Sequence, residues 1–369
     1  MDDREAAERW ERGGGAALTA EGVPAPLRLV LGVAELVERL DARGTRLAEE
    51  FAGGGIGVLT QRAGLLGLPR SGRVSAGGAT RLVAAADGEV ALSLARPSDR
   101  ELLPAWAALA GTPREHWAEG DATWGDVDAL AGVTPAAALS AAGAELGLPC
   151  AAVGEVVDAR PLIVDSVGAA APRAVPGARV VNLGSLWAAP LAAHLLARAG
   201  ADVVTVESAQ RPDGSRATPA FFAALRAGVR GVTVDFGTEA GRAELAQLLA
   251  QADVVIEGSR PRALRQLGFE TRDVVAAGPQ VWVSITGYGR TGAHAARVGF
   301  GDDCAAAGGL VGRTADGVTV FLADAIADPL TGLTAAAAVI ELLERGGRHV
   351  ADVALARVAC SLAGPLEHS

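Results

Sequence analysis

Residues 178–207 read ARVVNLGSLWAAPLAAHLLARAGADVVTVE, and this stretch decides the fold. Its first six residues form a short, apolar, β-branched run, which is typical of a buried strand. Pro190 stands near the start of a helical segment over 191–199, and Gly200 supplies the C-terminal stop signal. A second apolar strand, 202–207, follows at once. This spacing predicts one parallel strand–helix–strand unit.

The same alternation continues downstream. Further short strands are expected at 231–235 (GVTVD), 253–257 (DVVIE) and 281–285 (VWVSI), with a helix over 239–251. Short β-branched strands that alternate with helices are typical of a parallel sheet covered on both faces. We therefore predict an α/β domain with a Rossmann-like parallel sheet over residues 174–369, which binds its ligand at the carboxyl ends of the strands.

The N-terminal half has a different pattern. Asp87-Gly88 is a favoured hairpin turn, and the apolar residues on both sides of it predict a β-hairpin. We predict a short N-terminal helical and linker segment over 1–71 and a smaller α+β domain over 72–165. The expected elements are a helix at 27–51, the hairpin at 81–95, a helix at 130–146 and a strand at 148–153.

Charge and composition exclude several classes of protein. The net charge of −10 argues against a nucleic-acid partner, because such partners require basic surfaces. The chain contains no lysine, so all its basic side chains other than histidine are arginines. Enzymes that form a Schiff base through lysine, including those that use pyridoxal phosphate, and Walker-A nucleotidases are therefore excluded.

The cysteines and the apolar runs bear on location. Cys150, Cys304 and Cys360 are far apart and have no metal-ligand spacing, so we expect reduced thiols in a cytoplasmic protein. The N-terminus is charged and has no apolar signal region, and no uninterrupted apolar run is long enough to span a membrane. We expect no membrane partner.

The loop after the first strand of the α/β domain argues against a dinucleotide. Residues 182–187 read NLGSLW, with one glycine and a bulky Trp187. The Gly-x-Gly-x-x-Gly turn that lets the backbone approach a pyrophosphate is missing. A different ligand is therefore expected at the crevice of the sheet.

A series of motifs in the C-terminal half indicates which ligand this is. They are 182–207 (NLGSLWAAPLAAHLLARAGADVVTVE), 231–244 (GVTVDFGTEAGRAE), 252–268 (ADVVIEGSRPRALRQLG), 284–292 (SITGYGRTG), 299–310 (GFGDDCAAAGGL), 327–333 (ADPLTGL) and 346–355 (GGRHVADVAL). In this order they resemble the family III CoA-transferases, which include formyl-CoA transferase, carnitine CoA-transferase and the α-methylacyl-CoA racemases. The resemblance implies that the protein binds an acyl-CoA and a carboxylic acid as substrates and needs no separate cofactor.

The N-terminal half resembles the small domain of the same family, but in an unusual place. Residues 85–94 (AADGEVALSL) and 147–156 (GLPCAAVGEV) resemble this domain, which in the family follows the large one. The chain is either circularly permuted or carries a degenerate half of a duplicated ancestor. A loose likeness at 10–20 (WERGGGAALTA) favours the second possibility slightly. Family members form interlocked homodimers, so the resemblance implies a homodimer here.

The family is understood to use an aspartate nucleophile, and the resemblance points to Asp316. In the family this aspartate follows a Gly-Gly-Leu stretch and precedes a glycine, as Asp316 precedes Gly317 here. The spacing from Gly308-Gly309 is about two residues shorter than the family's usual spacing. Asp-Gly is also the favoured dipeptide of a hairpin turn, so a purely structural role stays open.

Several residues are candidates for CoA recognition at positions that match family motifs. Trp187 could stack on the adenine or be a buried structural tryptophan. Isolated arginines that could contact phosphates are Arg211, Arg216 and Arg260. The candidate CoA-binding residues are Trp187, Ser208, Arg211, Gly258, Ser259, Arg260 and Thr286.

Other aspartates compete with Asp316. Asp302 and Asp303 precede an Ala-rich segment and are expected to cap a helix. Asp324 precedes the 327–333 motif and Asp328 lies at its start, where it is expected to cap a helix that begins near residue 330.

The aspartates and their neighbours leave more than one function open. Asp328 matches a position where the racemases hold one acid/base group. The racemases pair that group with a histidine, which Phe300 replaces here, and phenylalanine cannot transfer a proton. We therefore predict a CoA-transferase. A non-catalytic acyl-CoA-binding relative is the first alternative, and an acyl-CoA racemase or isomerase is the second.

Overall fold

The computed structural model describes residues 1–112, 117, 122–259 and 261–364, without the side chain of Pro261. The strands are β1 (Thr80–Ala85), β2 (Gly88–Ser93), β3 (Cys150–Ala152), β4 (Ile163–Gly168), β5 (Arg179–Asn182), β6 (Asp202–Ser208), β7 (Arg230–Val234), β8 (Val254–Glu257), β9 (Val281–Thr286), β10 (Gly312–Arg313), β11 (Thr319–Val320) and β12 (Arg348–Ala354).

Helices connect these strands and form the N-terminal segment. They are α1 (Asp3–Arg12), α2 (Gly15–Leu18), α3 (Leu27–Asp41), α4 (Leu47–Glu50), α5 (Gln61–Leu66), α6 (Pro97–Glu101), α7 (Leu103–Leu109), α8 (Trp124–Ala131), α9 (Ala136–Leu146), α10 (Ala188–Arg198), α11 (Pro219–Arg226), α12 (Glu239–Gln251), α13 (Pro261–Gln266), α14 (Thr271–Ala277), α15 (Gly301–Ala307), α16 (Ala327–Arg345) and α17 (Leu355–Leu362). Short 3₁₀ helices lie at Ile56–Leu59 and Gly214–Ala217.

A seven-stranded sheet in the order β4-β12-β9-β8-β5-β6-β7 forms the centre of the C-terminal half. All neighbouring strands run parallel except β4, which is antiparallel to β12. This architecture confirms the predicted α/β class with a Rossmann-like parallel sheet. From β5 the chain adds β6 and β7 on one side of the sheet and then returns to add β8 and β9 on the other side, so the switch point lies between β5 and β8. In open α/β sheets, ligands bind in the crevice at such a switch point.

The two faces of the large sheet carry separate apolar cores, because successive strand residues point to opposite faces. Val180 packs in the core shared with α10 and α16, whereas its neighbour Val181 packs in the core shared with α12 and α14. Helix α16 is buried along most of its length. Gly332 lets it lie close to α10, since a Cβ there would stand 2.8 Å from the carbonyl oxygen of Ala188.

The smaller sheet has the order β1-β2-β3 and is antiparallel. Its first two strands form the predicted hairpin around Asp87, and the predicted strand at 148–153 is present as β3. The helices α7 and α9 cover it. Trp106 is fully buried between them and donates a hydrogen bond from Nε1 to the carbonyl oxygen of Leu139 at 2.9 Å.

Two predicted helices proved to be interrupted. The expected helix at 130–146 is divided into α8 and α9 at Pro135, whose ring cannot continue a helix and which has no N–H to donate. The expected helix at 27–51 is divided into α3 and α4. Gly44 and Arg46 adopt φ values of +89° and +58° in the turn between them. The carboxylate of Asp41 then accepts hydrogen bonds from the first amides of α4 at 2.6 and 2.9 Å.

The N-terminal half packs directly on helix α15 of the C-terminal half. The amides of Gly154 and Val156 each donate to carbonyl oxygens of α15, Ala306 and Ala307, at 2.9 Å. Strand β4, which lies across the predicted end of the small domain, joins the large sheet. The division into segments 1–71, 72–165 and 174–369 remains a prediction. Within the described residues, no helix combines the length and the apolar character needed to cross a bilayer.

Candidate active site

A cleft opens at the switch point of the large sheet. It is formed by the loops that follow β5, β8 and β9, so it lies at the carboxyl ends of the strands, as the sequence predicted. We call its first part the glycine chamber, with a volume of about 270 Å³. Its lining includes Ser185, Leu186, Gly258, Ser259, Thr286, Gly287, Gly299 and Phe300 from these loops, together with Arg96, Arg297 and Asp328.

A second cavity of about 270 Å³ adjoins the first, and we call it the acid chamber. Leu186, Phe300 and Asp328 line both chambers, so the two form one continuous site. The acid chamber is also lined by Arg62, Ser75, Thr80, Trp187, Phe221, Gly301 and Asp302. It therefore combines residues of the N-terminal half with residues of the C-terminal α/β unit.

The loops around the glycine chamber are held by their own side chains. Glu257 is buried and its carboxylate accepts the amide of Ser259 at 2.7 Å. The hydroxyl of Thr286 accepts the amide of Gly289 at 2.9 Å, and the side chain of Asn182 accepts the amide of Gly184 at 2.9 Å. These bonds fix the shape of the loops in advance of ligand binding. They also occupy amides that could otherwise bind an oxyanion.

Three aspartates lie at or behind the acid chamber. Burial raises the pKa of Asp328 to about 7 and the pKa of Asp324 to about 6, and it raises that of Asp302 as well. In each case the guanidinium of Arg62 opposes the rise. Near neutral pH Asp328 and Asp324 therefore lie close to their titration midpoints, which suits carboxylates that react or exchange protons.

The partners of these aspartates differ. Asp302 accepts the amide of Ala325 at 2.9 Å, and its carboxylate also bonds Ser75 and Thr80. Asp328 accepts a backbone hydrogen bond from Gly301. Asp324 is fully buried, and neither of its carboxylate oxygens has a hydrogen-bond partner among the described residues. A carboxylate left in this state is destabilised unless a cation stands near it.

The backbone around the site is strained. Leu186, Ala323 and Ala325 have φ values of +69°, +51° and +42°, although none is a glycine. Such conformations destabilise the chain by about 1–3 kcal/mol each and cluster at functional sites. Leu186 lies between the two chambers, and the two alanines flank Asp324. These outliers support the assignment of the cleft as the functional site.

Asp302 and Asp303 have separate roles. Asp303 occupies the third position of α15 and accepts the amide of Phe300 at 2.8 Å, so its predicted helix-capping role is confirmed. Asp302 instead accepts the amide of Ala325 in the loop before α16, so its predicted capping role was wrong. The predicted cap at Asp328 was also wrong, because α16 begins at Ala327 and Asp328 already lies in its first turn.

Comparison with known proteins places this chain in a family. Residues 175–366 match the model of CoA-transferase family III. The chain belongs to CoA-transferase family III. It is 31% identical over 201 residues to the succinate–glutarate CoA-transferase of Agrobacterium fabrum, an alignment that covers 48% of this chain and 50% of that protein. It is 29% identical over 181 residues to the formyl-CoA:oxalate CoA-transferase of Streptomyces coelicolor, covering 46% and 44%.

Among solved structures, a CAIB/BAIF family protein from Brucella suis is 32% identical and gives a TM-score of 0.48, with 52% of this chain and 55% of that chain covered. The chain spans about half the length of the curated family III relatives it matches. The match begins at residue 175, so the N-terminal residues that line the acid chamber lie outside it.

The structure places some of the predicted CoA-binding residues in the cleft of this family III chain. Gly258, Ser259 and Thr286 line the glycine chamber. Trp187 lines the acid chamber, but it is only 2% exposed and packs edge-to-face on Phe221 with ring centroids 5.1 Å apart. The sequence allowed Trp187 either to stack on the adenine or to be a buried structural tryptophan. This packing favours the structural role.

Other predicted residues lie elsewhere. Ser208, the last residue of β6, bonds Gln210 at 3.1 Å. Arg211 is exposed in the turn after β6, outside both chamber linings. Arg216 is paired with Glu207 at 2.8 Å. Arg260 lies outside the described residues.

Asp316 lies on the hairpin turn between β10 and β11. It is exposed, and Gly317 beside it has a φ of +83°. This conformation agrees with the hairpin turn that the Asp-Gly dipeptide favours. A hydrogen bond from the hydroxyl of Thr314 lowers the pKa of Asp316, so the carboxylate is ionised at neutral pH. Asp316 is not among the described residues that line the two chambers.

The sequence did not identify the arginines of the cleft. Arg297 is 6% exposed, pairs with Glu155, and bonds the hydroxyl of Ser140 at 2.9 Å. Arg96 lies 5.8 Å from the ring of Phe300, and Arg62 lies 5.6 Å from the ring of Trp187. Only Arg297 belongs to the family-matched region. No spacing signal separates these residues from the many exposed arginines.

Proposed function

We propose that this chain transfers coenzyme A between an acyl-CoA thioester and a carboxylic acid through an aspartyl intermediate. Family membership supports the reaction class. The names of two relatives say that those proteins transfer CoA between dicarboxylic or short-chain acids. The observation that carries the proposal is a cleft at the sheet's switch point that is lined by partly buried carboxylates, among them Asp328, whose pKa is raised to about 7.

The reaction needs one carboxylate that can attack and leave again. It attacks the thioester carbonyl, forming a mixed anhydride and releasing CoA thiolate. The thiolate then attacks the enzyme's own carbonyl, which frees the donor acid and leaves an aspartyl-CoA thioester. An acceptor carboxylate attacks this thioester, giving a second anhydride and the thiolate. Attack of the thiolate on the acceptor carbonyl yields the new acyl-CoA and restores the aspartate.

Asp316 is our first candidate for this carboxylate, on the strength of its family motif. Its ionised state makes it competent to attack, but an intermediate on an exposed turn would be open to hydrolysis. We therefore propose that the protein acts as a homodimer in which a second copy covers the turn that bears Asp316. Asp328 is the alternative candidate, since it lies where the two chambers meet and is less exposed than Asp316.

The exposure of Asp316 favours one other function. If nothing covers this turn and Asp328 does not react in its place, the chain binds acyl-CoA through the glycine chamber without catalysing transfer. Racemisation receives no such support, because Phe300 lines both chambers where a proton-transferring residue would be needed. The predicted cytoplasmic location stays a prediction.

The test combines turnover with adduct mapping. The protein is incubated with a panel of acyl-CoAs and carboxylic acids, and new acyl-CoAs are read by mass spectrometry. Digestion after incubation with acyl-CoA alone should yield a hydroxylamine-sensitive adduct on the peptide with Asp316 or on the peptide with Asp328. The matching Asp→Asn variant should abolish transfer and keep CoA binding, and the other variant should keep transfer.

The possible results separate the candidates. Thermal stabilisation by CoA but not by NAD, without any transfer, would identify an acyl-CoA-binding relative. Stabilisation by neither CoA nor any acyl-CoA would refute both functions. Light scattering that finds a monomer at micromolar concentration would remove the proposed cover of Asp316 and shift the assignment to Asp328.

A further inference from the structure

Arg62 belongs to the N-terminal segment, far outside the family-matched region, yet it lines the acid chamber. It stands on helix α5 with its side chain 25% exposed. Its Nη1 lies 3.5 Å from Oδ1 of Asp324, and its guanidinium lies over the ring of Trp187. Resting on the function proposed above with Asp328 as its reacting carboxylate, we propose that Arg62 is a positioning residue, the counterion that keeps the carboxylates of the acid chamber charged for transfer.

The same N-terminal segment holds the loop that carries Asp324. The hydroxyl of Thr19 accepts the amide of Ala323 at 3.2 Å. The hydroxyl of Ser71 bonds the carbonyl oxygens of Phe321 at 3.0 Å and Leu18 at 2.7 Å. These bonds hold the strained loop against the N-terminal segment on both sides of α5 in sequence. The position of Arg62 opposite Asp324 therefore follows from the way the N-terminal segment packs on this loop.

Around the acid chamber the negative groups, Asp302, Asp324 and Asp328, outnumber the positive group, Arg62, that acts on them. Asp324 faces Arg62 and the carboxylate of Asp302. Asp328 faces Arg62, Asp302 and Asp324, with the amide of Gly301 as a further donor. Asp302 faces Arg62, the hydroxyls of Ser75 and Thr80 and the amide of Ala325. One guanidinium thus acts on three carboxylates. Its loss would leave like charges close together in a site with little water.

The first test measures stability against pH and needs no enzyme activity. The folded-state pKa values of the chamber aspartates lie above their unfolded values, so ionising them destabilises the fold as pH rises from about 4. Without Arg62 these pKa values rise further, and the loss of stability continues to higher pH. We expect Arg62→Gln to match the wild type near pH 4–5 and to be increasingly less stable from about pH 6 to pH 9.

Three further variants make the stability test specific. Arg62→Lys keeps the charge and should restore most of the wild-type pH dependence. Arg70→Gln removes an exposed arginine of the same segment and should show no pH-dependent deficit. Adding Asp324→Asn to Arg62→Gln removes the charge that lacks a partner and should narrow the deficit at high pH. A deficit of Arg62→Gln that is the same from pH 5 to pH 9 would overturn the proposal.

The second test reads the proposed transfer. An opposite charge within about 4–6 Å lowers the pKa of an aspartate by about 1–3 units, so the acid limb of kcat should move up by about one pH unit in Arg62→Gln. Transfer one pH unit below the wild-type midpoint should fall about tenfold while CoA binding is retained. An unmoved acid limb would refute the positioning role. If the wild type transfers nothing, the proposed function fails, and the stability test alone decides whether Arg62 is the counterion.

Discussion

Replacement of Gly301 by alanine should damage the fold at the candidate active site. Gly301 is the first residue of α15 and lines the acid chamber. A Cβ at this position would overlap the carbonyl oxygen of Ala325 and would stand 2.5 Å from Oδ2 of Asp328. Real Cβ contacts are not this short, so the loop at Ala325 or the start of α16 must move.

The expected loss of stability follows from what has to move. An added methyl group in a packed region destabilises a protein by about 1–3 kcal/mol. The obstacle here is backbone in an already strained conformation, which cannot rotate away as a side chain can. We therefore expect Gly301→Ala to destabilise the protein by about 2–3 kcal/mol, the upper part of that range.

Gly64→Ala is the matched control. Gly64 lies inside helix α5, and a Cβ there meets no atom within 4 Å. Removing a glycine from a helix interior without a clash should stabilise the protein by about 0.5–1 kcal/mol. Urea denaturation of both variants gives the two values. A Gly301→Ala protein as stable as the wild type would refute the close approach of α15 to the loop at Ala325.

Three other substitutions test separate features. Burial raises the pKa of Asp303 to about 8, above its unfolded value, so the wild type loses stability as the pH rises from about 4 to about 8. Asp303→Asn should reduce that loss, and melting temperatures at pH 5 and pH 8 measure it. Arg297→Met leaves the partly buried carboxylate of Glu155 without its cation. It should destabilise the protein in urea, near or below the lower end of the about 3–5 kcal/mol lost when a buried pair is broken, with partial recovery when Glu155→Gln is added. Asp87→Ala removes the acceptor of the Ala136 amide, 2.8 Å away at the start of α9, and should lower stability by about 0.5–2 kcal/mol, whereas Asp87→Asn should keep most of it in thermal unfolding.

Five of the seven described strands of the large sheet, β5–β9, could be predicted from the sequence, because most of them are buried on both faces. Each reads as a short β-branched run between glycine, proline or polar residues, and the predicted strands agree with β5–β9 to within about two residues. The N-terminal helices were predicted too long because helix-forming residues stand on both sides of their breaks. At Pro135 the missing N–H ends the pattern, whereas the left-handed turn at Gly44 leaves a much weaker signal.

The candidate site was only partly predictable. Gly258, Ser259 and Thr286 were chosen because they stand at positions that match family motifs. The structure brings them together because each follows a strand, and parallel strands end at one edge of a sheet. Arg62 was missed because nothing in its local sequence says which distant carboxylate it will face. Asp302 and Asp303 are adjacent in sequence but serve different neighbours, and their roles depend on the residue at which α15 begins.

Strand β4 has a consequence for work with isolated fragments of this protein. It precedes the family-matched region, so excision of residues 175–366 would remove it. Strand β12, which β4 covers, is buried from His349 to Ala354 and would then form an open, largely apolar edge. Open edges of this kind pair with other chains and promote aggregation. In the intact protein, β4 carries Asp165, which pairs with Arg272, and so the sheet ends in a charged strand that discourages edge-to-edge association.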